Sequence, residues 1–371
     1  MEAVLLMFPG QGSQHPRMAW GLYGEEPGFT AAMDEVFAAF GEAGAELRRD
    51  WLSERPRVPL DHVTRSQPLL FAIDYALGRT LLERGVRPWV MLGHSIGEMA
   101  AAVLAGVFTL ADAVALVRQR VRLLAASPPG GMLAVSAGVA ALEGLLTEDV
   151  VVAAENAPRQ TIVAGPSEPL AEVERALRAE GFTCAPVPTL IAFHSPSLAA
   201  TVPPAVESFA GTPVGAPRIP LYSGYAARPM TLELAADPGY WARHPVAPVR
   251  FWPALDEILS TGSPEDGVVC VEAGPGQGLS TIARRHRAVR KGPGRVVPLL
   301  PARAGGPEAN PEAGRAADRA AFATALTALP GDAGRDEALP GDAGRDEALP
   351  GDAGRDEADR HVDDQRPAPL A

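Results

Sequence analysis

The segment Gly93-His94-Ser95-Ile96-Gly97 has the G-x-S-x-G spacing of a nucleophile elbow. In this motif a sharp turn between a strand and a helix exposes the serine hydroxyl, and the glycines let the strand and the helix pack closely. The apolar run Trp89–Leu92 predicts the strand, and the small residues at positions 97–105 predict the helix. The N–H of Ile96 and the dipole at the start of that helix can stabilise an oxyanion. The pattern therefore predicts a nucleophile at Ser95.

A serine nucleophile needs a general base, and the chain has seven histidines. A Ser–His pair is sufficient, because imidazole can take the serine proton and return it to the leaving group. His94 precedes Ser95 on the same turn, so its side chain is expected to point away and to pack structurally. His194 follows the last strand of a predicted inserted unit, where the chain returns to the core, and no acidic third member is evident. Five histidines stand in no motif: His15, His62, His244, His286 and His361.

The elements that position these residues predict a small unit inserted into a larger α/β unit. The pattern after the elbow alternates as β-α-β-β-α-β, the order of a ferredoxin-like subdomain. The predicted strands and helices are Met132–Ala137, Leu142–Leu146, Val150–Ala154, Thr161–Ala164, Leu170–Glu180 and Cys184–Ile191, in that order. A strand-like segment, Gly267–Glu272, then continues the larger unit.

Composition narrows the class of protein. The chain has 371 residues, of which 47% are hydrophobic and 21% charged, and no apolar stretch approaches the roughly 18 residues of a membrane span. Met1–Phe8 reads as a first strand rather than a signal peptide, so we expect a soluble, cytoplasmic protein. The two cysteines, Cys184 and Cys270, lack the spacing of a disulfide scaffold or zinc ribbon. Lys291 is the only lysine and lies in an arginine-rich run, which disfavours Schiff-base chemistry.

The net charge of −12 is concentrated at the C-terminus, where residues 331–371 carry 12 acidic and 5 arginine side chains. This region repeats GDAGRDEALP twice and begins a third copy. Each copy has one leucine and no aromatic residue, which is too little apolar surface to offset the entropy of ordering. A disordered acidic tail is therefore predicted for residues 330–371. Upstream, residues 302–312 read as a linker, and Ala316–Leu329 has helical spacing.

Five motifs resemble, in order, those of the malonyl-CoA:acyl-carrier-protein transacylases and the acyltransferase domains of polyketide synthases. They are Phe8-Pro9-Gly10-Gln11-Gly12-Ser13-Gln14, Gly93-His94-Ser95-Ile96-Gly97-Glu98, Asn156-Ala157-Pro158-Arg159-Gln160, Ala192-Phe193-His194-Ser195 and Glu272-Ala273-Gly274-Pro275-Gly276. The resemblance covers residues 3–300 and implies an α/β-hydrolase-like core with an inserted ferredoxin-like subdomain, to which the sequence adds the disordered C-terminal tail. The expected boundaries are 1–127 and 193–300 for the core, 128–192 for the subdomain, 301–329 for a linker and terminal helix, and 330–371 for the tail.

The resemblance also implies the roles of individual residues. Ser95 and His194 are expected to form the catalytic dyad, with an oxyanion hole built from the backbone N–H groups of Gln11 and Ile96. In place of an acidic residue, a backbone carbonyl of the segment Pro248-Val249-Arg250 is expected to orient the histidine, and we assign this role to Arg250.

Three further positions bear on the acyl group. Arg120 matches the family arginine that grips the free carboxylate of malonyl, a task that suits its planar fork. Without the resemblance, this arginine on the predicted helix Leu110–Leu124 would be interpreted as solvated, like Arg118 and Arg122. Phe193, together with Ile96, is typical of malonyl-selective members, because a ring there fills the space that an α-methyl group needs. Ile191 departs from that pattern, where histidine is usual.

Six basic side chains lie between positions 284 and 295: Arg284, Arg285, Arg287, Arg290, Lys291 and Arg295. Without interleaved aromatic residues the run does not indicate nucleic-acid binding. It is interpreted either as a solvated terminal helix or as a surface that steers an acidic carrier protein or coenzyme A phosphates. No metal-ligand cluster and no dinucleotide loop is evident, so no cofactor is expected.

These observations predict an acyltransferase that moves malonyl, or a related carboxyacyl group, from coenzyme A to the phosphopantetheine thiol of an acyl carrier protein. The expected partners are acyl-CoA and an acyl carrier protein, with no nucleic acid and no membrane. One alternative is an editing acyl hydrolase that acts on carrier proteins, although simple acyl chains do not need a buried cation such as Arg120. Another is a carrier-to-carrier shuttle of larger acyl units, for which Ile191 and Met99 could reshape the pocket.

Overall fold

The computed structural model describes residues 2–261, 267–302 and 310–330. Within these ranges the strands are β1 Ala3–Phe8, β2 Val90–Gly93, β3 Gly130–Val135, β4 Val151–Ala157, β5 Gln160–Pro166, β6 Cys184–Pro186, β7 Leu221–Ser223, β8 Arg228–Pro229, β9 Val268–Glu272 and β10 Arg295–Pro298.

The α-helices in the same ranges are α1 Pro27–Phe40, α2 Glu42–Leu52, α3 Val63–Glu83, α4 Ile96–Leu104, α5 Leu110–Ala125, α6 Ser167–Ala179, α7 Val202–Ala210, α8 Leu232–Ala235, α9 Pro238–Ala242, α10 Phe251–Thr261, α11 Gly278–Ala283, α12 Arg287–Arg290 and α13 Pro311–Ala328. Two 3₁₀ helices span Val139–Leu142 and Pro196–Thr201.

The larger sheet has the strand order β10-β9-β1-β2-β7-β8 and is parallel except for the hairpin of β7 and β8. Its central strands are apolar runs because helices cover both faces of a parallel sheet. Phe8 pairs with Gly93, and Met7 pairs with Glu272. The carboxyl ends of β1, β2 and β9 therefore lie side by side, and the turns that follow them meet at one edge of the sheet.

The smaller sheet is antiparallel, with the strand order β4-β5-β3-β6. Numbered along the chain, its four strands are arranged 2-3-1-4, which is the predicted ferredoxin-like subdomain inserted between parts of the larger sheet. The predicted fold class, an α/β-hydrolase-like core with this insertion, is confirmed. The boundaries assigned to each domain stay a prediction.

Two predicted elements of the small subdomain are wrong in extent. The helix expected over Leu142–Leu146 is a single 3₁₀ turn that ends at Leu142, and Gly144 adopts a positive φ of 79°. The strand expected to reach Ile191 ends at Pro186. Proline lacks the N–H that a sheet ladder requires, and a second proline follows two residues later at position 188.

The C-terminal elements also differ in part from the sequence prediction. The basic run at 284–295 is not one terminal helix, because it holds the single-turn α12 and the first residue of β10. Helix α13 forms as expected but starts earlier, where the Asn310 side chain accepts a hydrogen bond from the N–H of Glu312 and Pro311 occupies the first turn. Most of the predicted linker, residues 303–309, and the predicted disordered tail, from residue 331 onward, lie outside the described residues.

No helix among the described residues combines the length and the apolar character needed to cross a bilayer. The two cysteines, Cys184 and Cys270, are buried as free thiols.

Two carboxyl groups are buried below the turns at the sheet edge. Asp74 lies on α3, a helix buried along most of its length, and neither of its oxygens has a hydrogen-bond partner within the described chain. Burial, and secondarily the charge of Glu272, raises the pKa of Asp74 well above its usual value. Burial also raises the pKa of Glu272 to about 7, although Glu272 accepts hydrogen bonds from two N–H groups at the start of α11. Both carboxyls therefore hold protons in the folded protein that the unfolded chain releases.

This proton retention predicts that Asp74 and Glu272 lower the free energy of unfolding as pH rises from about 5 to 8, whereas the buried histidines His94, His194 and His244, whose pKa values are lowered, act in the opposite direction below about pH 6.5. A carboxyl whose folded pKa is raised stabilises the fold below its unfolded pKa, and that contribution is lost as pH rises through the folded pKa. Each such group changes the free energy of unfolding by up to about 1.4 kcal/mol per pH unit. Relative to the wild type, Asp74→Asn should shift the slope of the free energy of unfolding against pH in the positive direction, as measured by chemical denaturation at several pH values. An unchanged slope would show that Asp74 is ionised in the fold.

Candidate active site

Ser95 occupies the turn between β2 and α4, with φ 54° and ψ −118°. This positive φ is unusual for a residue with a side chain, and such strain persists only where the surroundings impose it. Here close backbone contact imposes it. A Cβ at Gly93 would lie 2.2 Å from the backbone of Glu98, and a Cβ at Gly97 would lie 2.2 Å from the carbonyl oxygen of Phe8. The glycines of the motif therefore let α4 approach β1 and β2, and Ser95 is held at the helix N-terminus.

His194 lies beside the serine in space although 99 residues separate them in sequence. Its Nε2 is 3.0 Å from the Ser95 Oγ. On the other side of the ring, Nδ1 lies 2.9 Å from the carbonyl oxygen of His244 and 3.0 Å from that of Ala247. Two carbonyl acceptors require that Nδ1 carry the proton, which leaves the Nε2 lone pair directed at the serine hydroxyl. This is the arrangement of a general base and its nucleophile.

The prediction that Arg250 orients the histidine is wrong in position. The carbonyls that contact Nδ1 belong to His244 and Ala247, because the chain turns directly after α9 and directs both oxygens at the ring. The backbone of Arg250 is engaged elsewhere, since its N–H donates to the carbonyl oxygen of Gly224 at 2.6 Å. Sequence spacing could not distinguish neighbouring carbonyls on one loop.

Burial controls the protonation of His194, because only 2% of the surface of this residue is exposed to solvent. Desolvation, followed by the positive charge of Arg120, lowers the pKa of His194 to about 3. The imidazole is therefore neutral at physiological pH and able to accept a proton. A group that carries negative charge near Arg120 would reduce this effect, so ligand binding and the basicity of His194 are electrostatically coupled.

The two predicted oxyanion donors, Gln11 and Ile96, lie on adjacent turns. Gln11 follows β1 and Ile96 begins α4 after β2, and the pairing of Phe8 with Gly93 sets these turns side by side. Neither backbone N–H donates to a protein acceptor within the described ranges. The Gln11 side chain is fixed by a hydrogen bond to the carbonyl oxygen of Pro188 at 3.1 Å.

Arg120 projects from α5 toward the same region. Its Nε donates to Gln67 Oε1 at 3.3 Å, and Gln67 Nε2 donates in turn to Gln11 Oε1 at 3.0 Å. The residue is partly exposed, but its Nη2 is buried and has no hydrogen-bond partner in the described chain. Burial lowers the pKa of Arg120, which is the sign of a cation that lacks a counter-charge. The sequence analysis did not identify Gln67 as a site residue. The feature that could have indicated it is a single amide side chain in the largely apolar helix α3.

His94 and Phe193 flank the catalytic pair. His94 was expected to point away, but its ring lines the same cleft as Ser95, where Nε2 lies 2.9 Å from Asn156 Oδ1. Phe193 is buried, with its ring centroid 6.3 Å from that of His194. The side chain of Ile191 is also buried. The role of Phe193 as a filter for branched acyl groups stays a prediction.

A cleft of about 750 Å³ opens over the serine. One wall comes from the turns of the larger sheet and from α11, and the other from β3, β4 and β5 of the small sheet. Among the described residues there is no cluster of three or more side chains able to hold a metal ion. The chemistry that this arrangement supports is nucleophilic attack by serine with histidine as the base.

Sequence reasoning also missed the interactions of Glu98 and the position of Tyr225. Glu98 follows Ser95 by three residues and is fully buried, where it accepts hydrogen bonds from the Gly224 N–H at 2.7 Å and from the Tyr240 hydroxyl. Burial raises the pKa of Glu98 to about 8. Glu98 therefore ties α4 to the loop that carries Tyr225, a long-range contact for which the sequence has no signal.

Comparison with known proteins shows that the chain is similar to acyl transferase domains. The profile of the acyl transferase domain matches residues 5–286. A phenolphthiocerol/phthiocerol polyketide synthase polypeptide of Mycobacterium tuberculosis (strain CDC 1551 / Oshkosh) is 36% identical over 286 residues, which is 77% of this chain and 19% of that protein. The chain therefore spans about a fifth of the length of this relative.

Solved structures are similar over most of the described chain. The acyltransferase domain from the second module of the salinomycin polyketide synthase has a TM-score of 0.76 and 32% identity, covering 88% of this chain and 72% of that one. The malonyl CoA-acyl carrier protein transacylase of Coxiella burnetii has a TM-score of 0.69 and 26% identity, covering 80% of this chain and 94% of that one.

The geometry predicts different effects for the two histidines of the cleft. His194→Ala should slow acylation of Ser95 by a thioester roughly 10²- to 10⁴-fold, because the general base is lost. His94→Ala should leave the chemical step much less affected, since the His94 ring contacts Asn156 and not the reacting hydroxyl. Single-turnover acylation, with thermal melting to verify folding, measures both. Equal losses in two folded variants would contradict the assignment of the base.

Proposed function

This chain belongs to the acyl transferase domain family, and from that premise we propose that it transfers a malonyl or related carboxyacyl group from coenzyme A to an acyl carrier protein. The phosphopantetheine thiol of the carrier is the final acceptor, and Ser95 carries the acyl group in between. The acyl-transfer chemistry follows from the family, whereas the carboxyacyl substrate is inferred from the residues around the serine.

The observation that carries the proposal is the unpartnered Nη2 of Arg120, whose guanidinium lies close enough to His194 for its charge to lower the pKa of the imidazole. A guanidinium group in a desolvated site is costly unless it is paired. Within the described residues no carboxylate forms an ion pair with Arg120, and the acceptor of its Nε–H is the neutral amide of Gln67. A carboxylate on the substrate supplies the missing counter-charge, and the planar fork of arginine binds it through two hydrogen bonds.

The first half-reaction loads the serine. His194 Nε2 takes the proton of the Ser95 hydroxyl as Oγ attacks the thioester carbonyl. The N–H groups of Gln11 and Ile96 donate to the oxyanion that forms, where they need no reorganisation. As the intermediate collapses, the carbon–sulfur bond breaks and the imidazolium returns its proton to the coenzyme A thiolate. The products are the acyl-serine and free coenzyme A.

The second half-reaction is the reverse with a different thiol. The phosphopantetheine thiol gives its proton to His194 and attacks the acyl-serine carbonyl. The serine oxygen leaves and recovers the proton, and the acyl group remains on the carrier as a thioester. A Ser–His dyad suffices here because the carbonyls of His244 and Ala247 hold the imidazole in the tautomer that both steps require.

The basic run near the cleft is proposed as the surface that steers an acidic carrier protein. Helix α11 lines the cleft, and Arg284 and Arg285 follow it directly. Arg285 Nη1 donates to Gln160 Oε1 at 3.2 Å, and Gln160 lines the same cleft. Positive charge at the rim of a cleft raises the rate of encounter with an acidic partner.

Replacement of Arg120 tests the proposed substrate. Arg120→Ala leaves the malonyl carboxylate desolvated without a partner, which costs roughly 2–5 kcal/mol by analogy with truncated buried charge pairs. The kcat/KM for malonyl-CoA should fall by orders of magnitude, whereas that for acetyl-CoA should hold or rise. Arg120→Lys should restore malonyl transfer only in part, because a point charge lacks the fork.

The matched control is Arg118→Ala, which removes an exposed arginine from the same helix. This variant should behave like the wild type with both substrates. Parallel losses of malonyl and acetyl transfer in Arg120→Ala would mean that the arginine is structural and that the carboxylate is held elsewhere.

A further inference from the structure

Tyr225 lies directly behind the catalytic histidine, on the loop between β7 and β8. Its ring stacks on that of His244, with centroids 3.8 Å apart and an interplanar angle of 17°, and its centroid is 5.8 Å from that of His194. His244 is the residue whose carbonyl oxygen contacts His194 Nδ1. Tyr225 therefore packs against the group that orients the base.

The backbone of this loop is fixed to the nucleophile helix. The Ser223 Oγ accepts hydrogen bonds from the N–H groups of Tyr225 at 3.1 Å and of Ala226 at 2.7 Å. The adjacent Gly224 N–H donates to Glu98 on α4. Ser223 and Glu98 are both fully buried, so the loop is held by hydrogen bonds shielded from water. The Tyr225 ring is consequently preorganised rather than free to turn toward solvent.

The Tyr225 hydroxyl lies against Ser95 and the Arg120 guanidinium. Although it is close to these groups, the hydroxyl forms no hydrogen bond of acceptable geometry within the described chain. The residue as a whole is 8% exposed. Arg120 Nη2, which is also buried, lacks a partner as well. The Tyr225 hydroxyl, which can both donate and accept, thus lies with Arg120 Nη2 beside the nucleophile, and neither atom forms a hydrogen bond of good geometry within the described chain.

A buried donor without an acceptor costs free energy and is uncommon in native proteins. Burial raises the pKa of Tyr225 above its usual value even though Arg120 opposes this, so the phenol stays protonated and donates. Two convergent donors, one of them cationic, are complementary to an anionic oxygen. The charge of Arg120 favours a carboxylate over a water molecule or an ester oxygen at this position.

We propose that the Tyr225 hydroxyl is a second donor to the carboxylate of the acyl group and sets the preference for carboxyacyl over simple acyl substrates together with Arg120. This inference rests on the proposed function. Arg120 supplies the charge, and Tyr225 supplies a neutral hydrogen bond that an acetyl group cannot use. Specificity follows because a substrate without the carboxylate leaves both donors unpaired.

Tyr225→Phe removes this hydroxyl and keeps the ring that stacks on His244. The kcat/KM for malonyl-CoA should fall about 10- to 100-fold, consistent with the loss of a hydrogen bond to a charged group. The kcat/KM for acetyl-CoA should change less than about threefold, so the malonyl-to-acetyl ratio falls. In an Arg120→Ala background the same substitution should cost much less, because the two residues hold one group.

The matched control is Tyr222→Phe, the same substitution three residues earlier on β7, where the tyrosine lies near Glu257. It should leave the malonyl-to-acetyl ratio unchanged. Thermal melting of each variant verifies that the fold is retained.

The remaining outcomes separate this inference from the proposed function. Equal losses of malonyl and acetyl transfer in Tyr225→Phe would assign the hydroxyl to Ser95 or to the fold and overturn the inference. Unchanged kinetics with both substrates would overturn it as well, while Arg120-dependent malonyl transfer would leave the proposed function standing. A wild type that malonyl-CoA does not acylate would overturn the proposed function, and the inference with it.

Discussion

The close approach of α4 to the ends of β1 and β2 is the constraint on which the site depends. It is achieved only because Gly93 and Gly97 have no Cβ at positions where one would lie 2.2 Å from neighbouring backbone atoms. The same contact forces Ser95 into a positive φ and places its Oγ 3.0 Å from His194 Nε2. A wider elbow would separate Ile96 from Gln11, and the nucleophile, the base and the two oxyanion donors would no longer converge.

Desolvation gives these residues their chemistry. It keeps His194 neutral, so that the Nε2 lone pair is free to accept a proton, keeps the Tyr225 phenol protonated, and leaves Arg120 in need of a counter-charge. Each effect has the same cause, because a low-dielectric site penalises isolated charge. Burial also raises the pKa of Glu98, whose carboxyl binds the loop behind His194 to the nucleophile helix. The site is consequently organised to accept one anionic group and to exclude water from it.

How much the sequence could predict follows from how local each signal is. The elbow around Ser95 and the ferredoxin-like element order were predictable, because glycine spacing and hydrophobic periodicity act within a few residues. The predicted end of β6 was wrong because the apolar residues after Pro186 resemble a strand in sequence. The hydrogen-bond ladder between strands depends on backbone N–H groups, which proline lacks. The carbonyls of His244 and Ala247 and the position of Tyr225 could not be predicted, since loops far apart in sequence bring them to His194.

Intact-mass measurement of the protein shows whether Ser95 carries the acyl group between two thiols. We expect malonyl-CoA to add one malonyl group to the wild type and none to Ser95→Ala. This adduct should persist in buffer and disappear when a carrier protein with a phosphopantetheine arm is added, as the same mass appears on the carrier. A wild type that stays unmodified by malonyl-CoA, or an adduct lost to water as fast as to the carrier, would show that Ser95 does not carry malonyl from coenzyme A to a carrier protein.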